Sequence, residues 1–359
     1  MDDKNIRMKK KLTILNTPQF GTLIDSLKWC EHLSKKYDIT FVCFYNHLKR
    51  MDIEGVNYKY VHRFDNPTLR GVWYIIYALF YCLCHSDPVF IVYFKHCDLL
   101  PRLLPFRRFH VDIRTLAVTK DVAVNERADN LLRKSLSYFN SASFISNGVK
   151  EKIAPKINQT YILPLGSDVI DISSKQWNEI RLLYVGTLQH RDIPKTIEGL
   201  YDYITKHGKE GISYDIVGDG PELQQIKNIC EKRNMLDIVH IHGKLPYDEL
   251  KPFFAKCNIG VSFIPIEDCY QYQPPTKTFE YILSGLYCIG TKTYANNEVI
   301  IPTNGILIND NKEDFCKALE YIKQNSKSFD SKVIQETLID KFSWSTIVNK
   351  KLIPIIKSI

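Results

Sequence analysis

At 359 residues the chain is too long for one comfortable core and fits two domains of ordinary size. With 45% hydrophobic and 25% charged residues its composition is that of a soluble globular protein, and its ten cysteines, which lack zinc spacing, read as reduced core thiols of a cytosolic protein. The formal charge of +8 sits in residues 1–120, which hold 19 Lys or Arg against 11 Asp or Glu; this excess suits anionic lipid headgroups, a lipid-pyrophosphate acceptor or a merely solvated surface, and nucleic acid is the weakest partner because no binding module for it is visible.

The start, MDDKNIRMKKK, is charged, but the LTILN that follows is too short for a signal sequence and reads as the first strand, Leu12 to Asn16. Pro18 to Thr22 is a loop and Leu23 to Lys35 has helical periodicity. Strands follow at Ile39 to Tyr45 and Val56 to Val61. Val72 to Cys84 (VWYIIYALFYCLC) is shorter than the roughly 20 residues of a membrane span and suits a buried or membrane-surface helix. Strands at Val89 to Phe94 and His110 to Ile113 come next, then a helix from Asn125 to Phe139. Ser143 to Ser146 is a strand with Asn147–Gly148 as a turn, and Tyr161 to Leu163 is a strand stopped by Pro164. Alternation of short apolar strands with longer helices predicts a parallel sheet with helices on both faces.

A polar connector runs from Ser167 to Glu179, after which the pattern restarts. Strands are expected at Ile180 to Val185, Ser213 to Val217, Val239 to His242, Ile259 to Ile264 and Gly305 to Ile308. Helices are expected at Ile193 to His207, Glu222 to Lys232, Tyr247 to Lys256 and Asn311 to Asn325. The segment PPTKTFEYILSGLYCIGT, Pro274 to Thr291, is the most informative: two prolines open a short helix that ends at Ser284–Gly285 before a buried strand, Leu286 to Gly290. Such a helix start offers free amides and a positive dipole end to a phosphate, and Glu280, one turn on, can take both hydroxyls of a ribose; the alternative is an ordinary helix of an α/β domain with Glu280 solvated.

YVGTL at Tyr184 to Leu188, VGDGPE at Val217 to Glu222, HGKLPYDEL at His242 to Leu250 and PPTKTFEYILSG occur in the order and spacing of a known domain. The second half resembles the retaining, GT-B-fold glycosyltransferases of the large family 4 type (glycosyl transferases group 1). PLGSD at Pro164 to Asp168 looks like that family's interdomain crossing, and FSW at Phe342 to Trp344 like the start of its returning C-terminal helix. The resemblance is looser in the first half, where HVDIR at His110 to Arg114 and SNGVKEKI from Ser146 match best. It implies an α/β chain of two Rossmann-like domains facing a deep cleft: an acceptor-side domain at residues 1–166, a nucleotide-sugar donor domain at 167–341, and a helix at 342–359 crossing back.

By resemblance, Glu280 binds the donor ribose, while Pro275, Thr276 and Lys277 face its diphosphate. Gly186 opens a phosphate-facing loop in which Arg191 is the nearest match to the family's cation and Thr187 replaces an expected arginine. Lys244 and Leu245 flank the base, and Asp219 and Gly220 shape the turn below it. In the first domain Gly21 stands where relatives keep a glycine-rich loop, here with one glycine. Asp112, with Arg114, is expected to orient the acceptor hydroxyl or to form a structural salt bridge, and His110 to be a satisfied core histidine. Catalytic roles thus fall to Arg191, Lys277 and Asp112. The family's second carboxylate is replaced by Tyr272, so either a neighbour such as Glu267 or Asp268 serves instead or the sugar hydroxyls are recognised differently.

The implied reaction moves a sugar from a UDP- or GDP-sugar to a glycan or polyprenyl-pyrophosphate-linked acceptor, with retention and with neither metal nor cofactor. Capsule, O-antigen (lipopolysaccharide) or exopolysaccharide assembly in the cytoplasm, with peripheral contact at the inner face of the plasma membrane, is the implied setting. LLPRLLPFRRF, with Arg102, Arg107 and Arg108, mixes apolar and cationic residues as a membrane-surface patch would. The alternatives are a non-catalytic nucleotide-sugar-binding or scaffold protein, favoured by Tyr272 and Thr187, and a GT-B nucleotide-sugar epimerase, for which no acid/base pair stands out.

Overall fold

Parallel strands cannot be joined by tight turns, so a chain of alternating strands and helices must cross over a sheet at every step. In a computed structural model, which describes residues 9–119 and 121–359, the chain does this twice. The charged start at residues 1–8 and Lys120 lie outside the described residues. One unit comprises residues 1–165 and 344–359, the other residues 166–343.

The first unit runs β1 (Lys10–Leu15), α1 (Ile24–Leu33), β2 (Tyr37–Phe44), β3 (Val56–Val61), α2 (Pro67–Cys84), β4 (Val89–Val92), α3 (Leu99–Leu103), β5 (Phe109–Ile113), α4 (Val122–Leu136), β6 (Ser141–Phe144), α5 (Asn147–Ile153) and β7 (Gln159–Ile162). Its strands form one parallel sheet in the order β3-β2-β1-β4-β5-β6-β7. Central strands covered on both faces are mostly apolar: β4 and β5 are buried at every position, and only His110 and Asp112 of β5 are polar. The helical segment Trp344–Ile359 packs on α1.

Side-chain caps moved several boundaries away from the periodic pattern. The Asn66 carboxamide accepts from the Thr68 and Leu69 amides, so α2 begins at Pro67, a turn before its aromatic run. At its other end the Arg107 guanidinium donates to the carbonyls of Cys82, His85 and Asp87. Arg107 is therefore committed to a helix terminus, where a cation also meets the negative dipole end. Ser143 to Ser146 was expected to be a strand and Asn147–Gly148 a turn; instead the strand is Ser141–Phe144, and Ser146 caps the helix α5 through the Val149 amide.

The second unit runs β8 (Ile180–Val185), α6 (Ile193–His207), β9 (Ile212–Val217), α7 (Leu223–Lys232), β10 (Val239–Gly243), α8 (Lys251–Lys256), β11 (Ile259–Ser262), α9 (Thr276–Leu283), β12 (Tyr287–Thr291), α10 (Tyr294–Asn297), β13 (Gly305–Ile308), α11 (Lys312–Asn325), α12 (Ser331–Glu336) and α13 (Ile339–Phe342). The helix expected over Tyr247 to Lys256 is broken into a 3-10 turn at Tyr247–Glu249 and α8. The sheet order is β10-β9-β8-β11-β12-β13, all parallel, so the direction of winding reverses between β8 and β11. Crevices beyond the carboxyl ends of strands at such a switch point are where open α/β sheets bind ligands.

The polar connector is no free linker. The buried Lys175 ammonium pairs with Asp171 and donates to the Phe254 carbonyl, both at 2.6 Å. The Ile170 amide donates to Ser284 Oγ, and the Asn258 carboxamide to the Glu179 carbonyl. Where the chain leaves and re-enters this unit, Ser167 and Ser343 pair side by side.

Candidate functional site

The loops at the β8/β11 switch carry the candidate site. Helix α9 begins at Thr276 behind Pro275, which has no N–H and gives no side-chain cap. The Thr276 and Lys277 amides find no hydrogen-bond partner among the described residues, whereas the Thr278 amide returns to Pro275. An open helix start thus points out of the sheet's carboxyl edge. Two contacts hold α9 there: the Val185 amide donates to the Tyr281 hydroxyl at 2.8 Å, and Thr278 Oγ1 bridges Ser262 and the Asn296 carboxamide at 2.7 and 3.0 Å.

Lys277, the second residue of α9, is buried, with its ammonium 4.0 Å from the centre of the Tyr184 ring. It forms no ion pair among the described residues. Burial pushes it down to about 7, and the positive charge of Arg191 pushes the same way. Gly186 is the close neighbour of both groups: a Cβ there would lie 3.4 Å from the Tyr184 hydroxyl and 4.0 Å from the Lys277 ammonium. The Tyr184 hydroxyl closes the loop by donating to the Thr187 carbonyl. Arg191 stacks on the Tyr270 ring at 5.0 Å, so the two expected cations share one neighbourhood, and among the described residues no carboxylate is bonded to either side chain.

Glu280 stands one turn further along α9. Its carboxylate is half-buried and accepts no hydrogen bond from the described residues. Burial, then the Asp168 carboxylate, pushes it up to about 7 against the pull of Lys277. The Tyr247 hydroxyl feels the same two carboxylates and is raised, chiefly by burial. The Lys244–Leu245 segment follows β10 and precedes Tyr247 in the chain; Lys244 is exposed and Leu245 half-buried.

The loop from Gly186 to Asp192 is held by the second motif, through contacts that spacing alone did not reveal. The Glu222 carboxylate accepts from the amides of Arg191, Asp192 and Ile193 at 2.7, 3.2 and 3.0 Å. It caps α6 in place of Asp192, which lies at φ 54° and gives no side-chain cap. His190 is left-handed as well, at φ 52°. Gly218 must be glycine, since a Cβ would come within 1.9 Å of the Gly186 carbonyl oxygen. The Asp219 carbonyl accepts from the Leu188 amide, and its carboxylate from the Gly220 amide. Glu222→Ala is expected to lower stability by about 1–3 kcal/mol, because three amides lose a charged acceptor, and to free the Arg191 loop; thermal unfolding and nucleotide titration check both effects.

Asp112 does not occupy the position expected of a catalytic group. It is wholly buried in β5, between β4 and β6, where Ser143 donates to it and Arg114 stands 3.7 Å away. Burial pushes it up to about 7 against the pull of Arg114 and Ser143. Arg114 turns to Asp25 at 2.5 Å and to the Leu163 carbonyl. His110 bonds Ser141 and Ser143 at 2.8 Å each, and burial pushes it down to about 3. These groups tie β5, β6 and α1 together, and Asp112 and His110 themselves present no surface to a substrate. Gly21 lies in the loop after β1 at φ 89°, with the Met51 thioether where a Cβ would sit. Tyr272 packs against Tyr294, while Glu267 and Asp268 are exposed.

Two doubly wound parallel sheets, the second closed by an open helix start with cations and a carboxylate at its switch point, define the GT-B class. Residues 179–325 match the family model of glycosyl transferases group 1. This match lies within the second unit, and it is solved structures that give the chain as a whole the GT-B fold. Sucrose-phosphate synthase from Thermosynechococcus elongatus superposes with a TM-score of 0.74 at 14% identity, over 98% of this chain and 100% of that one. The apo lipopolysaccharide outer core galactosyltransferase WaaB gives 0.71 at 16%, and Anabaena HepE in complex with UDP gives 0.72 at 12%, each over 98% of this chain and 100% of its own. Among curated proteins none matches this sequence.

Proposed function

We propose that the protein is a retaining, metal-independent glycosyltransferase that moves a sugar from a nucleoside diphosphate sugar to a glycan or polyprenyl-pyrophosphate-linked acceptor in bacterial surface polysaccharide assembly. One observation carries the donor assignment. Lys277 and Arg191 repel each other beside the open start of α9, with Glu280, whose carboxylate has no hydrogen-bond partner among the described residues, one turn on. Cations brought together without a counter-anion suit a diphosphate, and a carboxylate with free lone pairs suits the ribose diol. UDP is the first nucleotide to test, since it is bound by the Anabaena protein of the same fold. The lipopolysaccharide enzyme of that fold gives the surface-polysaccharide setting its support.

In the reaction the acceptor hydroxyl oxygen bonds to the anomeric carbon as the bond from that carbon to the β-phosphate oxygen breaks. The acceptor proton passes to the leaving phosphate on the same face, which retains configuration. Lys277, Arg191 and the Thr276 and Lys277 amides stabilise the charge that grows on the diphosphate. Because these groups can balance that charge, transfer is expected to survive EDTA treatment.

Calorimetric titration with UDP-, GDP-, ADP- and CMP-sugars tests the reading; no binding to any by the folded protein would sink it. The pH profile adds a sharper signature. A bound diphosphate favours the Lys277 ammonium, so that contribution is lost as pH rises through about 7. Hydroxyls donating to Glu280 favour its carboxylate, so that contribution is lost as pH falls through about 7. Affinity is expected to peak near neutrality, Lys277→Met keeping only the acid limb and Glu280→Gln only the alkaline one. A second reading, nucleotide-sugar binding without transfer, is favoured by Tyr272 and Thr187; donor binding with no turnover across acceptors would select it.

A further inference from the structure

Helix α2 is apolar on every side, with a mean hydropathy of 1.2 over its 18 residues, yet only five of them are buried. Tyr74, Ile75, Ala78, Tyr81 and Cys82 face the protein, and the Tyr74 hydroxyl donates to the Val42 carbonyl at 2.8 Å. Leu69, Val72, Trp73, Ile76, Phe80 and Leu83 are exposed, Phe80 at 68% and Leu83 at 60%. At 100° per residue these six fall within an arc of about 100° and make one stripe about 21 Å long. Single exposed apolar residues need no explanation, but a continuous stripe does.

The surroundings say what covers it. No Asp, Glu, Lys or Arg interrupts the sequence from Gly71 to Cys84. At the far end Phe106, 74% exposed, joins Leu83, Arg108 and Ile359 around a surface depression of about 510 Å³. Arg108 is exposed and forms no ion pair among the described residues, and Arg63 and Arg70 stand at the other end of the helix. The first unit holds 28 Lys or Arg and 15 Asp or Glu over residues 1–165 and 344–359, a charge that opposes pairing with a second copy and attracts an anionic surface. Because the inner face of α2 is committed to the protein, the helix can offer lipid only one side and does not span.

We propose that α2 docks the first unit on an anionic bilayer, lying in the plane of the interface. The stripe and Phe106 enter the acyl boundary, Trp73 sits at headgroup level, and Arg63, Arg70 and Arg108 meet lipid phosphates. This does not depend on the donor assignment, since docking needs no nucleotide.

The test is sedimentation of the full chain with vesicles of phosphatidylglycerol and phosphatidylethanolamine, and with vesicles of phosphatidylcholine alone. The protein is expected to pellet with the anionic vesicles, with a blue shift in emission that Trp73→Phe removes. The double variant Ile76→Asn, Phe80→Asn is expected to bind roughly tenfold more weakly or worse, with an unchanged circular dichroism spectrum. Arg108→Glu should weaken binding to anionic vesicles and flatten its salt dependence. Absence of vesicle binding would overturn the proposal, as would full binding by the double variant. So would self-association without lipid that the double variant abolishes, which would assign the stripe to a second copy.

Discussion

Glu280→Ala is expected to remove donor binding almost completely, with affinity for the preferred nucleotide falling roughly 10²- to 10⁴-fold. The carboxylate is held half-buried and without a hydrogen-bond partner among the described residues, raised to about 7 by burial and by Asp168. A ribose diol supplies two donors to it, and hydrogen bonds to a charged acceptor contribute about 1.5–3 kcal/mol each. The fold should not suffer, because the residue holds nothing else in place. Calorimetry with the wild type and variant side by side, at matched circular dichroism, measures the effect. An affinity within a few fold of wild type would mean that the ribose lies elsewhere.

Lys277→Met is expected to separate activity from stability. Loss of a buried cation beside the leaving diphosphate should lower kcat roughly 10²- to 10³-fold. The same change should raise the melting temperature, since a buried ammonium opposed by Arg191 and paired with no carboxylate destabilises the apo fold. The sign with pH follows from the depressed pKa. The destabilisation is full below about 7, where the folded protein must hold the ammonium, and fades as pH rises from 7 towards the ordinary 10.5. Each kcal/mol recovered is about 2–4 °C for a unit of this size. Differential scanning calorimetry at pH 6.5 and pH 9.5 checks it: the gain in melting temperature should be larger at the lower pH. A variant that melts below wild type at both would show that Lys277 is a structural support.

The two architectural levels differ in how far they could be read. Strand and helix order followed from local periodicity, because a covered parallel strand must be apolar and a crossover must return along the sheet. The helix start at Thr276, and Glu280 one turn on, were equally local, since both lie within a single eight-residue helix. Boundaries set by side-chain caps were less legible: Asn66 lengthened α2 and Ser146 turned an expected turn into α5. Arg107 read as a surface cation because nothing local reveals three carbonyls gathered around it from residues 20–25 positions away.

By itself the sequence determined two α/β units and an open helix start with Lys277 and Glu280 close together, because these depend on hydrophobic period and on groups within one turn of each other. Tertiary structure alone decided which of those groups are usable. Asp112 lies at the end of a strand, as an active-site group would, but flanking strands on both sides leave it inside a network with Ser143 and Arg114. Glu222 was expected only to open a helix, and its carboxylate also holds the Arg191 loop from about 30 residues away. In the same way α2 is apolar all round in sequence, and only packing against the sheet separates its inner face from the outer stripe. Long-range contacts set burial, and burial decides whether a titratable or apolar side chain serves the core or meets a ligand.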